Sequence, residues 1–570
     1  MGIPRLISTL EPYVEHRVLN DEHVVVDGPG LAYHILSLCH RDGIPQPSYK
    51  LLGQKTLVWL DELIHRRVKI EAVYFDGYLP KSKETVRMQR MAKSLCQLKT
   101  SHSSDSHGFL PAYFSVSDET SPGPSAARTT RRVALPPSFH VPAIIDVLRT
   151  CPRYAELVHL VPGEADAYCA KHLSESGGTV LTSDSDLLVH DLGSGSVIFF
   201  RDIIFDHQVN VICASFCPAQ ICVKLKLASS ADMCRFAYER KYDPHSTVPQ
   251  LLQECAQPVK DEAAYIEFCH EYLDHAIAPM PVSTQGTSIQ IGGLDPRISE
   301  MVLQLGYQDD QRNDPHNDVK MFLPILLECP SRGSAWEKST PIRQLAYTIA
   351  RWVIPGVSCT IQEYRRVNTI EQRGRKVPMI PQEAAKAWAQ DLVRTMSRIK
   401  AGTRGDTARA WHILCLTLDI RYCIEEETHS HTLQTLEESL KPPTFKRVSW
   451  DIIHFVAHLQ AAYYSFRLLK QILSLQHSRN ILPELQDMLS SLPSLSEFPD
   501  VGNTLKFLQK SGEEQVYRTV AKFVPLPGAD VNIKLKRIAQ SKKQKASKEG
   551  ALKGKAGATR PVNLFDVLSR

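Results

Sequence analysis

Residues 161–191 read VPGEADAYCAKHLSESGGTVLTSDSDLLVHD. Two short apolar runs in this stretch each end in a pair of acids, Glu164 with Asp166 and Asp184 with Asp186. The periodicity runs strand, acidic corner, helix (EADAYCAKHLSES), Gly-Gly, strand (GGTVLTSDSD). Upstream the same alternation recurs. EHVVVDG predicts a buried strand ending at Asp27, and LAYHILSLCHRDG a helix closed by Gly43. SYKLLGQKTLVWLDELIHRRV predicts an amphipathic helix, and KIEAVYFDG a strand ending at Asp76. SKETVRMQRMAKSLCQL and FHVPAIIDVLRTCP read as helices, AELVHLVPG and GSVIFFRDI as strands. Strands alternating with helices give an α/β fold with a central, mostly parallel sheet flanked by helices. Such sheets place their sites at the C-terminal ends of the strands.

The chain has 570 residues, 43% of them hydrophobic and 23% charged, enough for a sizeable core and roughly three units. The first is expected over 1–206, interrupted at 101–132 by a Ser/Gly/Pro/Thr-rich stretch read as a disordered loop insertion. The second, 207–530, reads as a largely α-helical C-terminal region without an internal repeat. The third, 531–570, is a disordered tail. No run of 18 apolar residues occurs, so no membrane span is expected. The N-terminus has no secretory pattern, and the myristoylation signal at Gly2 is only partly satisfied. The 14 Cys include no C-x-x-C pair, and Cys213, Cys217, Cys222 and Cys234 fit core packing better than zinc.

Charge is unevenly distributed. Residues 534–560 carry ten Lys or Arg against Glu549; subtracting that +9 from the chain's +5 leaves a body of −4. A grip on nucleic acid by the folded body therefore needs a local basic patch. KLKRIAQSKKQKASK reads as a nuclear localisation signal or nucleic-acid tether, with a solvated tail as the alternative. Residues 563–569, NLFDVLS, could form an amphipathic turn that docks a protein partner.

Taken singly, each acid has a structural explanation. Asp27 and Asp76 precede Gly, as in turns. Glu164 and Asp166 stand where a helix dipole favours negative charge, and Asp184 or Asp186 could cap a helix. Together they place six carboxylates at the ends of four strands of one sheet. Side by side, they would repel unless protonated or neutralised by hard divalent cations such as Mg²⁺ or Mn²⁺. Two such ions form the clamp used for phosphodiester hydrolysis.

These residues resemble the flap endonuclease/XPG nuclease family within the PIN-like (5′-nuclease) fold. MGIPRL is similar to the family's N-terminal motif, VVVDGPGLAY and VYFDG to its first two acidic strands, and VPGEADAYCA and TSDSDLL to its internal acids. The match covers roughly residues 1–200. The resemblance implies that Asp27, Asp76, Glu164 and Asp166 serve a first metal. It implies that Asp184 and Asp186 serve a second, with Asp166 close to both; the absence of the family's seventh acid from this chain makes that second site a weaker one. Lys83 and Arg90, seven and fourteen residues after Asp76, correspond to basic residues that contact the scissile phosphate. Tyr33 corresponds to a tyrosine that stacks on a base; a core aromatic is the alternative. Two family features are missing: a seventh acid in a Gly-x-Asp-Tyr motif and a helix-hairpin-helix. Asp232 is the nearest acid, in a context that does not match. The 101–132 stretch lacks the basic helical pattern of the family's arch. PIRQLAYTIARWVIPGVSCTIQEYRRV is similar to fungal Asteroid-type proteins of the same superfamily.

The expected activity is metal-dependent cleavage of flapped or single-stranded DNA or RNA in the nucleus, with a cytoplasmic location as the alternative. The rival expectation is a catalytically weak or inactive nuclease-fold scaffold that acts through RNA or protein bound by the helical region.

Overall fold

A computed structural model describes residues 2–114, 135–208, 210–227, 230–273, 289–307, 319–354, 360–367, 374–439, 447–475, 482–509 and 516–524. Most of the 101–132 stretch and all of 531–570, with the 563–569 motif, lie outside the described residues.

The main sheet has eight strands: β1 (Glu15–Val18), β2 (His23–Asp27), β3 (Lys69–Asp76), β4 (Val158–Val161), β5 (Thr179–Thr182), β6 (Ser196–Phe199), β7 (Ile204–Phe205) and β8 (Val211–Phe216). Their spatial order is β1-β8-β6-β5-β2-β3-β4, with β7 beside β8. The run β6-β5-β2-β3-β4 is parallel, and β8 pairs antiparallel with β1, β6 and β7. Val24, Val25 and Val26 of β2 are buried, as a strand covered on both faces requires. The chain moves from β2 to β3 and β4 on one side, then returns to β5 and β6 on the other. This reversal sets the ligand crevice at the carboxyl ends around β2. Helices α1 (Gly28–Arg41), α2 (Tyr49–His65), α3 (Glu84–Ser104), α4 (His140–Thr150) and α5 (Ala165–Ser176) flank the sheet.

The region after residue 206 is largely helical, as expected, with two additions. Strand β8 completes the main sheet. A second sheet, ordered β11-β10-β9, joins β9 (Val319–Phe322), β10 (Thr360–Tyr364) and β11 (Arg375–Pro378). Its strands are four or five residues long, too short to stand out among apolar helical segments. The helices that bear on function are α6 (Glu262–Leu273), α7 (Pro296–Tyr307), α8 (Thr340–Val353) and α9 (Trp450–Leu473).

Helix α9 is buried nearly all round and packs against α8. It also locks onto the sheet side. Phe139 stacks on Tyr464 with ring centroids 4.5 Å apart. Arg467 grips Asp146 of α4 through two bonds of 2.6 and 2.8 Å. One hydrophobic core runs from Leu19 to Val524 without a break near residue 206.

The Asteroid-like stretch carries a buried ion-pair network. Arg343 binds Glu363 through bonds of 2.6 and 2.9 Å, and both side chains are fully buried. Tyr347 donates to the same carboxylate, and Arg366 pairs with buried Glu328 at 2.7 Å.

Part of the expected loop is folded. α3 continues to Ser104, and Phe109 is buried against Trp450 while its backbone pairs with Val448. Polar composition hid this because its partner lies in α9, far along the chain. Cys213, Cys222 and Cys234 are buried and Cys217 half-buried, and all thirteen described cysteines are free. No helix among the described residues is long and apolar enough to cross a membrane.

Candidate functional site

Each acid is held by the local chemistry of a strand end. Asp27 closes β2 and caps α1. Its carboxylate accepts from Gly30 N at 3.1 Å and from Thr182 Oγ1, at the end of β5, at 2.7 Å. Asp76 closes β3 and accepts from Ala165 N at 2.7 Å, which ties β3 to the start of α5. Glu164 stands at the N-cap of α5, and Asp166 in its first turn. Asp184 N donates to Thr182 Oγ1 at 2.9 Å, and the Asp184 carboxylate accepts from Asp186 N at 3.2 Å. Asp186 accepts from Ile3 N at 3.0 Å and from Tyr272 Oη at 3.2 Å.

Two glycines permit this crowding. Gly2 has φ 110°, and a Cβ there would meet Ser185 and come within 2.9 and 3.0 Å of the Asp184 and Asp186 carboxylates. A Cβ at Gly30 would strike the Asp27 carboxylate.

The carboxylates act on one another. Burial lifts Asp27 to about 6, with Asp184 adding to it and the Thr182 and Gly30 bonds opposing. Burial lifts Asp76 to about 7, and Glu164 and Asp27 add to it. Asp166 is pushed well above the ordinary range by desolvation and then by Asp27, Asp184, Asp76 and Glu164. Asp186 rises to about 6 through burial and Asp184. This mutual influence links the six acids electrostatically across the neighbouring strand ends.

Lys83 enters the same pocket. Its Nζ lies 2.9 Å from Glu164 and 3.2 Å from Glu271. Burial opposes its charge, but the two carboxylates override this and hold the ammonium above the ordinary lysine range. Glu271 belongs to α6 and brings a further acid to the pocket, while its neighbour Tyr272 reaches Asp186. This Glu-Tyr pair does not stand out in the sequence, because it lacks a Gly-x-Asp-Tyr context. Asp232 instead acts on the Cys222 and Cys255 thiols.

Among the described residues, no three His, Cys, Asp or Glu side chains are drawn together as a closed metal-ligand set. Internal donors, Lys83 among them, engage the acids instead. The donor chemistry suits a hard divalent cation: every group is a carboxylate, and four of them are raised by burial or mutual charge, which such an ion would relieve.

At Asp76 the pocket opens into a cleft of about 300 Å³. Arg87 and Arg90 of α3 line it together with Arg297 and Glu300 of α7. Arg87 pairs with Glu300 and lies over the Phe322 ring at 4.6 Å. Tyr33 borders the cleft, 53% exposed, with its ring edge-on to His140 at 4.7 Å. Lys83 and Arg90 thus occupy different places, one in the acidic pocket and one in the cleft. Arg297 and Arg87 were missed, because only the folded chain brings α7 against α3.

A family model described as "XPG domain containing" matches residues 136–377. The span begins later than the motif-based match and runs on through α7 and the second sheet. The chain is 23% identical over 386 residues to Asteroid homolog 1 of Schizosaccharomyces pombe. That alignment takes in 65% of this chain and 64% of the relative, less than two thirds of the relative's length. Among solved structures, the chain is similar to human GEN1 in complex with Holliday junction DNA, at 14% identity and TM-score 0.30, over 56% of this chain and 75% of that one. It is also similar to the catalytic core of Rad2 in complex with a DNA substrate, at 14% identity and TM-score 0.27, over 55% of this chain and 96% of that one. The resemblance read from the acidic motifs and from the Asteroid-like stretch is met by the family-model match and by the Asteroid relative.

Proposed function

Starting from an XPG-type, Asteroid-like chain, we propose a metal-dependent nuclease-like protein that hydrolyses phosphodiester bonds of flapped or single-stranded nucleic acid. The observation that carries this reading is the convergence of six mutually acting carboxylates on neighbouring strand ends β5, β2, β3 and β4. Asp27, Asp76, Glu164 and Asp166 would hold one Mg²⁺ or Mn²⁺ ion, and Asp184 and Asp186 a second. Such ions supply an activated water and stabilise the leaving oxygen. The chain's own contribution is orientation and charge. Thr182, Gly30 and Ala165 fix the carboxylates, the sheet excludes water from beneath them, and Lys83 and Arg90 would neutralise the phosphate as charge develops. Residues 1–206 would form the nuclease-like unit, 207–530 an accessory unit, and 531–570 a nuclear-targeting or tethering tail. DNA or RNA is the proposed partner, and the helical region or the 563–569 motif a docking site for protein.

A second reading is a weak or inactive scaffold. It is favoured by Lys83, which already neutralises Glu164 and Glu271 from within. The deciding experiment is turnover of 5′-flap DNA and single-stranded RNA by the full chain in Mg²⁺ or Mn²⁺. Loss of at least about a hundredfold in rate in Asp27→Ala plus Asp184→Ala supports the nuclease. No divalent-dependent turnover on either substrate leaves the scaffold.

A further inference from the structure

The cleft beside the acidic pocket has its own chemistry. It reaches the acids through Asp76, the strand-end carboxylate that closes β3 and lines it. Its volume of about 300 Å³ accepts a nucleotide-sized group and not a duplex. Arg87, Arg90 and Arg297 line it, although the body of the chain is net negative. Arg297 forms no ion pair with a described carboxylate. Tyr33 offers an exposed ring at the rim, the kind of platform on which bases stack regardless of sequence.

His140 supplies an independent pointer to a ligand. It is 7% exposed and lines the cleft. Its Nδ1 lies 2.8 Å from the Pro137 carbonyl oxygen, which can only accept, so Nδ1 carries the proton. Nε2 is then left as an acceptor, and it is buried with no partner among the described residues. A buried acceptor without a donor is costly. A sugar hydroxyl or a base N–H in the cleft would satisfy it.

We propose that a single strand of nucleic acid is seated in the cleft that α3 and α7 line beside the Arg87–Glu300 pair joining them, so that the region beyond the main sheet supplies part of the seat. Arg297 contacts a phosphate, Tyr33 stacks on a base, and His140 Nε2 accepts from the sugar or base. This deepens the nuclease reading and rests on it for the direction of the strand, which leads past Asp76 into the acids. It also gives the C-terminal region a direct role in holding substrate.

The test is binding of labelled oligo-dT and oligo-U to the full chain in EDTA, where no cleavage occurs, across a range of salt. Arg297→Ala is expected to weaken both oligonucleotides about tenfold at low salt and to reduce the salt slope by about one. Arg394→Ala, an exposed control on another helix, is expected to change neither. A larger loss for oligo-U than for oligo-dT in His140→Phe assigns the Nε2 bond to the 2′-hydroxyl, and an equal loss assigns it to a base. Unchanged affinity and salt slope in folded Arg297→Ala would overturn the proposal. Should that variant fail to fold, photocrosslinking of 4-thiouridine or 5-iodo-deoxyuridine strands to the unaltered chain decides. Crosslinks at Tyr33 or His140 support the seat, and crosslinks confined elsewhere overturn it. The two readings fail separately: binding can depend on Arg297 without turnover, and turnover can depend on Asp27 without Arg297.

Discussion

Lys83 Nζ lies 3.2 Å from Glu271, a carboxylate carried into the acidic pocket by α6 from beyond the main sheet. The ammonium thereby bridges two regions of the chain, because Glu164 is its other partner. Both side chains are only partly exposed, so solvent screens the pair less than at an open surface. A double-mutant cycle with Lys83→Met and Glu271→Gln is expected to give a coupling energy of about 0.5–3 kcal/mol in chemical denaturation. Strict additivity would show that the bridge adds nothing to stability.

The strand-end acids set a pH dependence. Asp27 and Asp186 rise to about 6 and Asp76 to about 7. With unfolded values near 4, the folded state binds more protons than the unfolded one between about pH 4 and pH 7. Stability in EDTA is therefore expected to fall as pH rises through that window. Added Mn²⁺ is expected to raise the melting temperature more at pH 7.5 than at pH 5, since ligands must be ionised to bind. Thermal melts at both pH values, with and without Mn²⁺, check both signs.

The buried Arg343–Glu363 pair belongs to stability. Glu363→Ala leaves an uncompensated guanidinium in a fully buried place, with Tyr347 deprived of its acceptor. The expected loss is about 3–5 kcal/mol in urea unfolding. A loss below about 1 kcal/mol would mean the surroundings re-satisfy Arg343.

What was legible in the sequence followed from local rules. Asp27 and Asp76 close apolar runs that can only be buried strands, so the sheet and its acidic edge could be read from EHVVVDG and KIEAVYFDG. Glu271 and Arg297 were not legible, because each is an ordinary charge on an amphipathic helix until the fold sets it against residues far away in the chain. Strand β8 was lost for a related reason. It joins the sheet through antiparallel pairing with β1 and β6, strands far apart in the chain, although four of its six residues are buried. The Asteroid-like stretch was legible as a likeness, while its charges proved to be buried structural partners.

The arm of α9 that grips α4 makes a further expectation. Asp146→Ala removes both Arg467 bonds where the two portions of the chain share their core. The expected result is about 3–5 kcal/mol of lost stability in a single cooperative transition. Two separate transitions, one unaltered by the substitution, would show that the portions unfold independently.

The central claim is that the strand-end carboxylates bind divalent cations. Titration of the EDTA-treated full chain with Mn²⁺, followed by the electron paramagnetic resonance of the free ion, tests it directly. Saturable binding of one or two ions per chain is expected, with at least one lost in folded Asp27→Asn plus Asp184→Asn. Equal Mn²⁺ binding by the two proteins would contradict it.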